Sequence, residues 1–171
     1  MSGNMTDRRW VWPELPLSAW KETYATLHLW TQIVGKIRLA LAPQVNHWWN
    51  TPLYVTARGL TTSAMPYAGR TFEVVFDFVD HRLVIETSDG RGETLPLSPM
   101  TVAEFYAEFI SRLKRLDIDV HIWAMPCEIE DAVPFDHAAT DWQLRHSRRR
   151  SSNSGADTQN WLSPMLPLNS V

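Results

Sequence analysis

Cysteine is nearly absent from this chain of 171 residues, because Cys127 is its only cysteine. That count excludes a disulfide within one chain and a zinc site built from several thiolates. The expected surroundings of Cys127 are apolar, as is common for a free structural thiol.

Long apolar runs are also lacking, since no stretch reaches the roughly 18 consecutive apolar residues of a membrane-spanning helix. The N-terminal segment has neither the apolar core nor the small-residue cleavage site of a secretory signal peptide. These absences predict a cytoplasmic protein with no membrane partner.

Basic charge is scarce in most of the sequence. Residues 1–137 contain 12 Lys and Arg against 17 Asp and Glu, a net charge of −5, so we expect no nucleic-acid partner. The dense basic run RHSRRR, at residues 145–150, lies beside a polar low-complexity segment. We therefore predict a single domain over residues 1–137 and a disordered or non-native tail over residues 138–171.

Common catalytic motifs are missing as well. The sequence has no glycine-rich phosphate loop that opens a helix and no G-x-S-x-G nucleophile elbow. The histidines do not show the i, i+4 or i, i+2 spacing of metal ligands, and we expect no metal and no cofactor. The histidines considered as ligands are His28, His47, His81 and His121.

The sequence does contain helix and strand patterns in a clear order. Apolar residues at spacings of three and four predict helices over residues 18–42 and 99–116, with Thr101 and Glu104 spaced as a capping box in the second. The order α-β-β-β-β-α-β predicts an α+β domain with two helices packed on a mainly antiparallel sheet of about five strands. The predicted strands are 53–58, 71–79, 82–88, 93–97 and 117–125.

A row of polar residues accompanies the apolar stripe of the first helix. His28, Gln32 and Lys36 follow at i, i+4 and i+8, so they lie along one flank. Such a row can meet an anion or a polar ligand at the edge of a pocket, or it can face solvent.

Arg38 falls in the middle of that apolar stripe. An unpaired charge in a protein core costs several kcal/mol, so a buried guanidinium needs a partner. We expect either a carboxylate beside Arg38, with Asp77 and Glu73 as candidates, or a ligand.

The segment NHWW follows the predicted end of the first helix. It places Asn46 and His47 in a turn, and in extended backbone it directs Trp48 and Trp49 to opposite sides, one to the core and one to a pocket. Arg58, at the end of the next strand, can close the same region. Aromatic walls with convergent polar groups favour a ligand pocket, although plain packing also explains them.

Three segments, QIVGK, NHWW and VTARGL, carry a specific resemblance to a known family. Together with the surrounding sequence they make residues 12–137 similar to the bacterial domain-of-unknown-function family 5996. The resemblance implies a cytoplasmic bacterial protein but no established activity or catalytic residues. It also implies that this chain is truncated or frameshifted after about residue 138, which would expose apolar surface and allow oligomers.

Three functions agree with these features. The first is binding of a small polar or anionic molecule, and the second is an enzyme with His47 or His28 as general base, which requires a carboxylate beside the imidazole. The third is a protein-interaction or scaffold module in which Trp side chains form an interface. The residues expected to bind a ligand are His28, Gln32, Lys36, Arg38, Asn46, His47, Trp48 and Arg58.

Overall fold

A computed structural model describes residues 14–129 and 132–138. Apart from Ala138, the predicted tail lies outside these residues. The described chain forms two helices and six strands. Their bounds are α1 Leu17–Leu41, β1 Tyr54–Val55, β2 Gly59–Thr61, β3 Met65–Tyr67, β4 Arg70–Asp77, β5 Arg82–Thr87, β6 Gly92–Pro96 and α2 Val102–Arg115. The predicted α+β class with a mainly antiparallel sheet is confirmed.

The sheet is antiparallel throughout and is built around β4. Its order is β1-β2-β4-β5-β6, and β3 also pairs with β4. Along one edge of β4, residues 72–77 pair with β5. Along the other edge, β2 pairs with residues 75–77 and β3 pairs with residues 70–72. Only Tyr54–Val55 of the predicted strand 53–58 forms a strand. β2 and β3 were not predicted, because the Thr, Ser, Pro and Gly of this region are typical of a loop.

The break between β2 and β3 is held by Thr62. Its backbone N–H donates to the Val74 carbonyl at 3.0 Å, and its hydroxyl oxygen accepts from the Val74 N–H at 3.0 Å. Ser63, the next residue, has a left-handed φ of 54°. Irregular pairing changes the direction in which a side chain points, and here the Ser63 side chain points toward α1.

Gly59 begins β2 and pairs with Asp77 of β4. Its φ is +154°, and a Cβ at this position would lie 2.0 Å from the Phe76 carbonyl oxygen. No other residue fits here without displacing backbone.

Both helices contribute aromatic and aliphatic side chains to one core with the sheet. Trp30 of α1 stacks on Phe105 of α2 with ring centroids 4.5 Å apart, and Phe105 also stacks on Phe76 of β4 at 6.4 Å. The strand predicted over residues 71–79 ends at Asp77, and Phe72, Val74 and Phe76 are buried as the alternation predicted, whereas Phe78 lies in the turn and is partly buried. The helices therefore lie on the face that the alternation marks as apolar.

The segment after α2 differs from the sequence prediction. Residues 117–125 form no strand, although Ile118 and Ile122 are buried as the alternation predicted. The Tyr67 hydroxyl donates to the Asp119 carbonyl and accepts from the Asp119 N–H, both at 2.9 Å. The backbone of Asp119 is therefore bound by a side chain and not by a neighbouring strand.

Candidate functional site

Arg38 lies near the C-terminal end of α1 and is 5% exposed. Its Nη1 donates to Ser63 Oγ at 3.0 Å, and its Nη2 donates to the Tyr54 hydroxyl at 3.4 Å. The Tyr54 ring lies over the guanidinium, with its centroid 5.1 Å from Cζ. Nε is buried and has no hydrogen-bond partner. All of the groups that bind Arg38 in the described residues are therefore neutral.

The prediction that Asp77 or Glu73 pairs with Arg38 is wrong. Asp77 lies at the end of β4, where it binds Arg58 at 2.8 Å. Glu73 accepts a hydrogen bond from the Thr61 hydroxyl. Within residues 14–129 and 132–138, no carboxylate lies within 4.0 Å of the Arg38 guanidinium.

Ser63 and Tyr54 hold Arg38, but neither was predicted as its partner. Ser63 reaches Arg38 because of the break between β2 and β3, and no sequence signal marks that break. Tyr54 belongs to the two-residue strand β1 at the edge of the sheet. Its hydroxyl also donates to the Trp49 carbonyl at 3.3 Å, which places it between the NHWW turn and α1.

The predicted polar flank of α1 meets Cys127. Gln32 donates to the Cys127 carbonyl at 2.9 Å and accepts from the Cys127 N–H at 2.8 Å, while Lys36 Nζ donates to the Cys127 sulfur at 3.2 Å. His28 Nε2 lies 3.3 Å from the Gln32 amide nitrogen. Cys127 is exposed. The predicted apolar surroundings of Cys127 are therefore wrong, and the flank anchors the segment that contains Cys127.

The NHWW turn is a short 3-10 helix, residues Asn46–Trp48, and not extended backbone. His47 and Trp48 both have left-handed φ values, 57° and 58°. Trp48 and Trp49 are 61% and 67% exposed, so neither serves the core as predicted. Asn46 and His47 are also exposed.

Arg58 belongs to a cluster of opposite charges at the end of β4. Its guanidinium binds Asp77 and Asp80, each at 2.8 Å, and Arg82 binds Asp80 at 3.0 Å. Burial alone would raise the pKa of Asp77, but hydrogen bonds from Arg58 and from the backbone N–H groups of Asp80 and Val79 outweigh it and lower that pKa. The hydrogen bond to Asp77 correspondingly raises the pKa of Arg58.

The histidines do not form the pair that a general base needs. In the described part of the chain, the only imidazole near a carboxylate is that of His137, whose Nδ1 lies 3.6 Å from Asp136. His28 stacks on Tyr24 with ring centroids 6.1 Å apart. Across residues 14–129 and 132–138, no group of three or more His, Cys, Asp or Glu side chains could hold a metal ion.

A groove of about 630 Å³ lies beside α2. The residues that line it include Ala107, Ile110, Lys114, Arg115 and Asp136. Arg115 is already bound to Glu93 at 2.9 Å. None of the residues predicted to bind a ligand lines this open groove, and none of its polar groups is buried without a partner. We therefore place the candidate site at Arg38.

The structure thus divides the predicted residues among separate neighbourhoods. Lys36 follows the flank that faces Cys127, Arg38 faces Ser63 and Tyr54, and Arg58 joins the cluster at Asp77. Lys36 and Arg38 are two positions apart on a helix that turns about 100° per residue, so they point to opposite sides of α1.

Comparison with known proteins gives a family but no activity. A protein-family model described as a family of unknown function (DUF5996) matches residues 12–150. Searches of curated proteins and of solved structures found no match. No helix in the described ranges combines the length and the apolar character needed to cross a membrane.

Proposed function

Because the chain belongs to DUF5996, a family of unknown function, we propose a function from its own geometry: the protein binds a small anionic molecule at Arg38. The observation that supports this proposal is the buried guanidinium with neutral neighbours and an unpartnered Nε. A charge without a counter-charge in a protein interior is costly, so a site that retains one is suited to an anion.

The proposed site consists of Arg38, which supplies the charge, and Ser63, whose hydroxyl fixes the guanidinium at Nη1. Tyr54 covers the guanidinium in the ligand-free protein. A guanidinium has more N–H donors than two hydroxyls can satisfy, which leaves donors for the oxygens of a ligand. Trp48, Trp49 and the other predicted residues are not needed for this minimal site.

The setting of this activity is also a proposal. A cytoplasmic bacterial protein agrees with the family resemblance and with the single free thiol, which suits a reducing compartment. The enzyme alternative has less support, because neither His28 nor His47 has a carboxylate within reach in the described residues.

A second candidate function, protein interaction, is favoured by the exposed Trp48 and Trp49 beside the exposed edge strand β1. Exposed aromatic residues of this kind are enriched at interfaces. Sedimentation at increasing concentration would show association that Trp48→Ser weakens and Trp123→Ser, a change at another exposed Trp, does not. A monomer at all concentrations would contradict self-association.

Thermal denaturation in the presence of an anion panel tests the main proposal. An anion that binds the folded state raises the melting temperature by mass action. The rise should be lost in Arg38→Gln and kept in Arg112→Gln, because Arg112 already has its own carboxylate, Glu108. Equal responses of the three proteins would contradict binding at Arg38.

A further inference from the structure

The unfilled edge of the Arg38 guanidinium indicates which anion it takes, an inference that rests on the proposed function above. Nε has no partner, and Nη2 makes only the long bond of 3.4 Å to the Tyr54 hydroxyl. The N–H bonds of Nε and Nη2 point in the same direction, which matches the two oxygens of a carboxylate. We propose that the ligand is a singly charged carboxylate that binds this edge with both oxygens and displaces the Tyr54 hydroxyl.

The single positive charge of Arg38 favours a ligand with one negative charge over a ligand with two. Lys36 lies on the other side of α1 against Cys127, and Arg58 is bound to Asp77. In the described residues, Arg38 is therefore the single cation of this neighbourhood. A phosphate dianion would leave one charge uncompensated beside a buried group, whereas a monocarboxylate leaves none.

Tyr54 acts as the lid of the site. It is 46% exposed while the guanidinium beneath it is buried, so the ring is the part of this contact that faces water. Its hydroxyl is held by two long hydrogen bonds, 3.4 Å from Arg38 Nη2 and 3.3 Å to the Trp49 carbonyl. Because β1 is a short edge strand, Tyr54 can turn outward without disturbing the central ladder.

The test is an NMR titration of the full-length wild-type protein labelled with ¹⁵N at arginine. The Nε–H signal of Arg38, assigned by its loss in Arg38→Lys, is followed during addition of sodium acetate, benzoate, phosphate and chloride at equal ionic strength. At about pH 7.5 phosphate is mostly a dianion. We expect saturable shifts with acetate or benzoate, several-fold weaker binding of phosphate and no saturation with chloride.

Two substitutions separate the charge from the lid. Arg38→Lys keeps the charge but loses the two-pronged edge, so carboxylate affinity should fall by about tenfold or more. Tyr54→Phe removes the hydroxyl that competes for Nη2, so carboxylate affinity should rise several-fold. Tyr67→Phe is the matched control, because the Tyr67 hydroxyl binds the Asp119 backbone and should leave affinity unchanged.

The outcomes distinguish this inference from the proposed function. Saturable binding of phosphate without carboxylates, or carboxylate affinity that is unchanged or weaker in Tyr54→Phe, overturns the inference and leaves anion binding at Arg38 in place. No saturable shift at Arg38 with any of the anions overturns both. Unchanged signals of the other arginines in Arg38→Lys check that the variant used for the assignment is folded.

Discussion

Arg38 and Arg112 are both largely buried arginines with opposite electrostatic surroundings. Arg112 binds the Glu108 carboxylate and the Thr94 carbonyl, so its charge is compensated at the surface of α2. Arg38 has two hydroxyls and an aromatic ring. The same residue type therefore has different consequences for stability at the two positions.

Arg38→Met should stabilise the ligand-free protein. The substitution removes a buried uncompensated charge and keeps most of the apolar volume, so we expect the free energy of unfolding to rise by about 1–4 kcal/mol. Urea denaturation measures this change, with Arg112→Met, which should be destabilising, as the matched comparison. A loss of stability in Arg38→Met would indicate that Arg38 has a structural role.

Asp77 should contribute stability that depends on pH. Because the folded-state pKa of Asp77 is lowered, its contribution is fully present above the ordinary Asp pKa of about 4 and is lost as pH falls through the lower folded-state value. Asp77→Asn should cost about 1–3 kcal/mol at neutral pH, since it weakens charged hydrogen bonds. The difference in unfolding free energy between the two proteins should shrink toward low pH; a constant difference would contradict the ion pair.

At the scale of secondary-structure elements, α1 presents two different polar surfaces to two parts of the chain. One surface holds Arg38 against the β2-β3 break, and another, about 120° around the helix, holds Gln32 against Cys127. The sequence could predict the helix and its polar flank from periodicity alone. It could not predict what each surface meets, because Ser63 and Cys127 are brought there by irregular segments.

Gln32→Ala should loosen the segment that contains Cys127. It removes both hydrogen bonds to the Cys127 backbone, which we expect to cost about 1–3 kcal/mol and to speed hydrogen exchange of the Cys127 amide. Lys36→Met is the control, since an exposed contact to the thiol contributes little. Unchanged exchange in Gln32→Ala would show that other contacts hold the segment.

The capping box of α2 was predicted from Thr101 and Glu104 and is confirmed. Thr101 Oγ1 accepts from the Glu104 N–H at 2.9 Å, and Glu104 accepts from the Thr101 N–H at 2.7 Å. That second bond lowers the pKa of Glu104.

Thr101→Ala should lower the unfolding free energy by about 1 kcal/mol, because it removes the hydroxyl that caps α2. Thermal denaturation checks this, and an unchanged melting temperature would contradict the role of the cap.

Over the described chain, the fold class follows from local patterns, whereas the candidate site depends on pairings between segments that are distant in sequence. Asp77 was a reasonable partner for Arg38 by face and charge, but the end of β4 lies beside Arg58. The left-handed turn at His47 and Trp48 likewise has no glycine to reveal it. Hydrophobic periodicity reports which residues are buried, but not which buried residues meet.

The predicted domain boundary can be tested by shortening the chain. The sequence predicts that residues 1–137 retain the full unfolding free energy, while the family match extends to residue 150. Chains ending at residues 137 and 150 should therefore be compared with the 171-residue chain by urea denaturation. Equal stability of all three supports the predicted boundary, and a loss confined to the shorter chain moves it to residue 150.

The close approach of the Phe76 backbone to Gly59 limits which residues can occupy position 59. The carbonyl oxygen of Phe76 occupies the space of any Cβ, so even alanine would force two strands apart. In a saturation-mutagenesis library selected for folded protein, codon 59 should return glycine and little else. That tolerance profile would arise entirely from backbone proximity and would carry no information about catalysis or ligand choice.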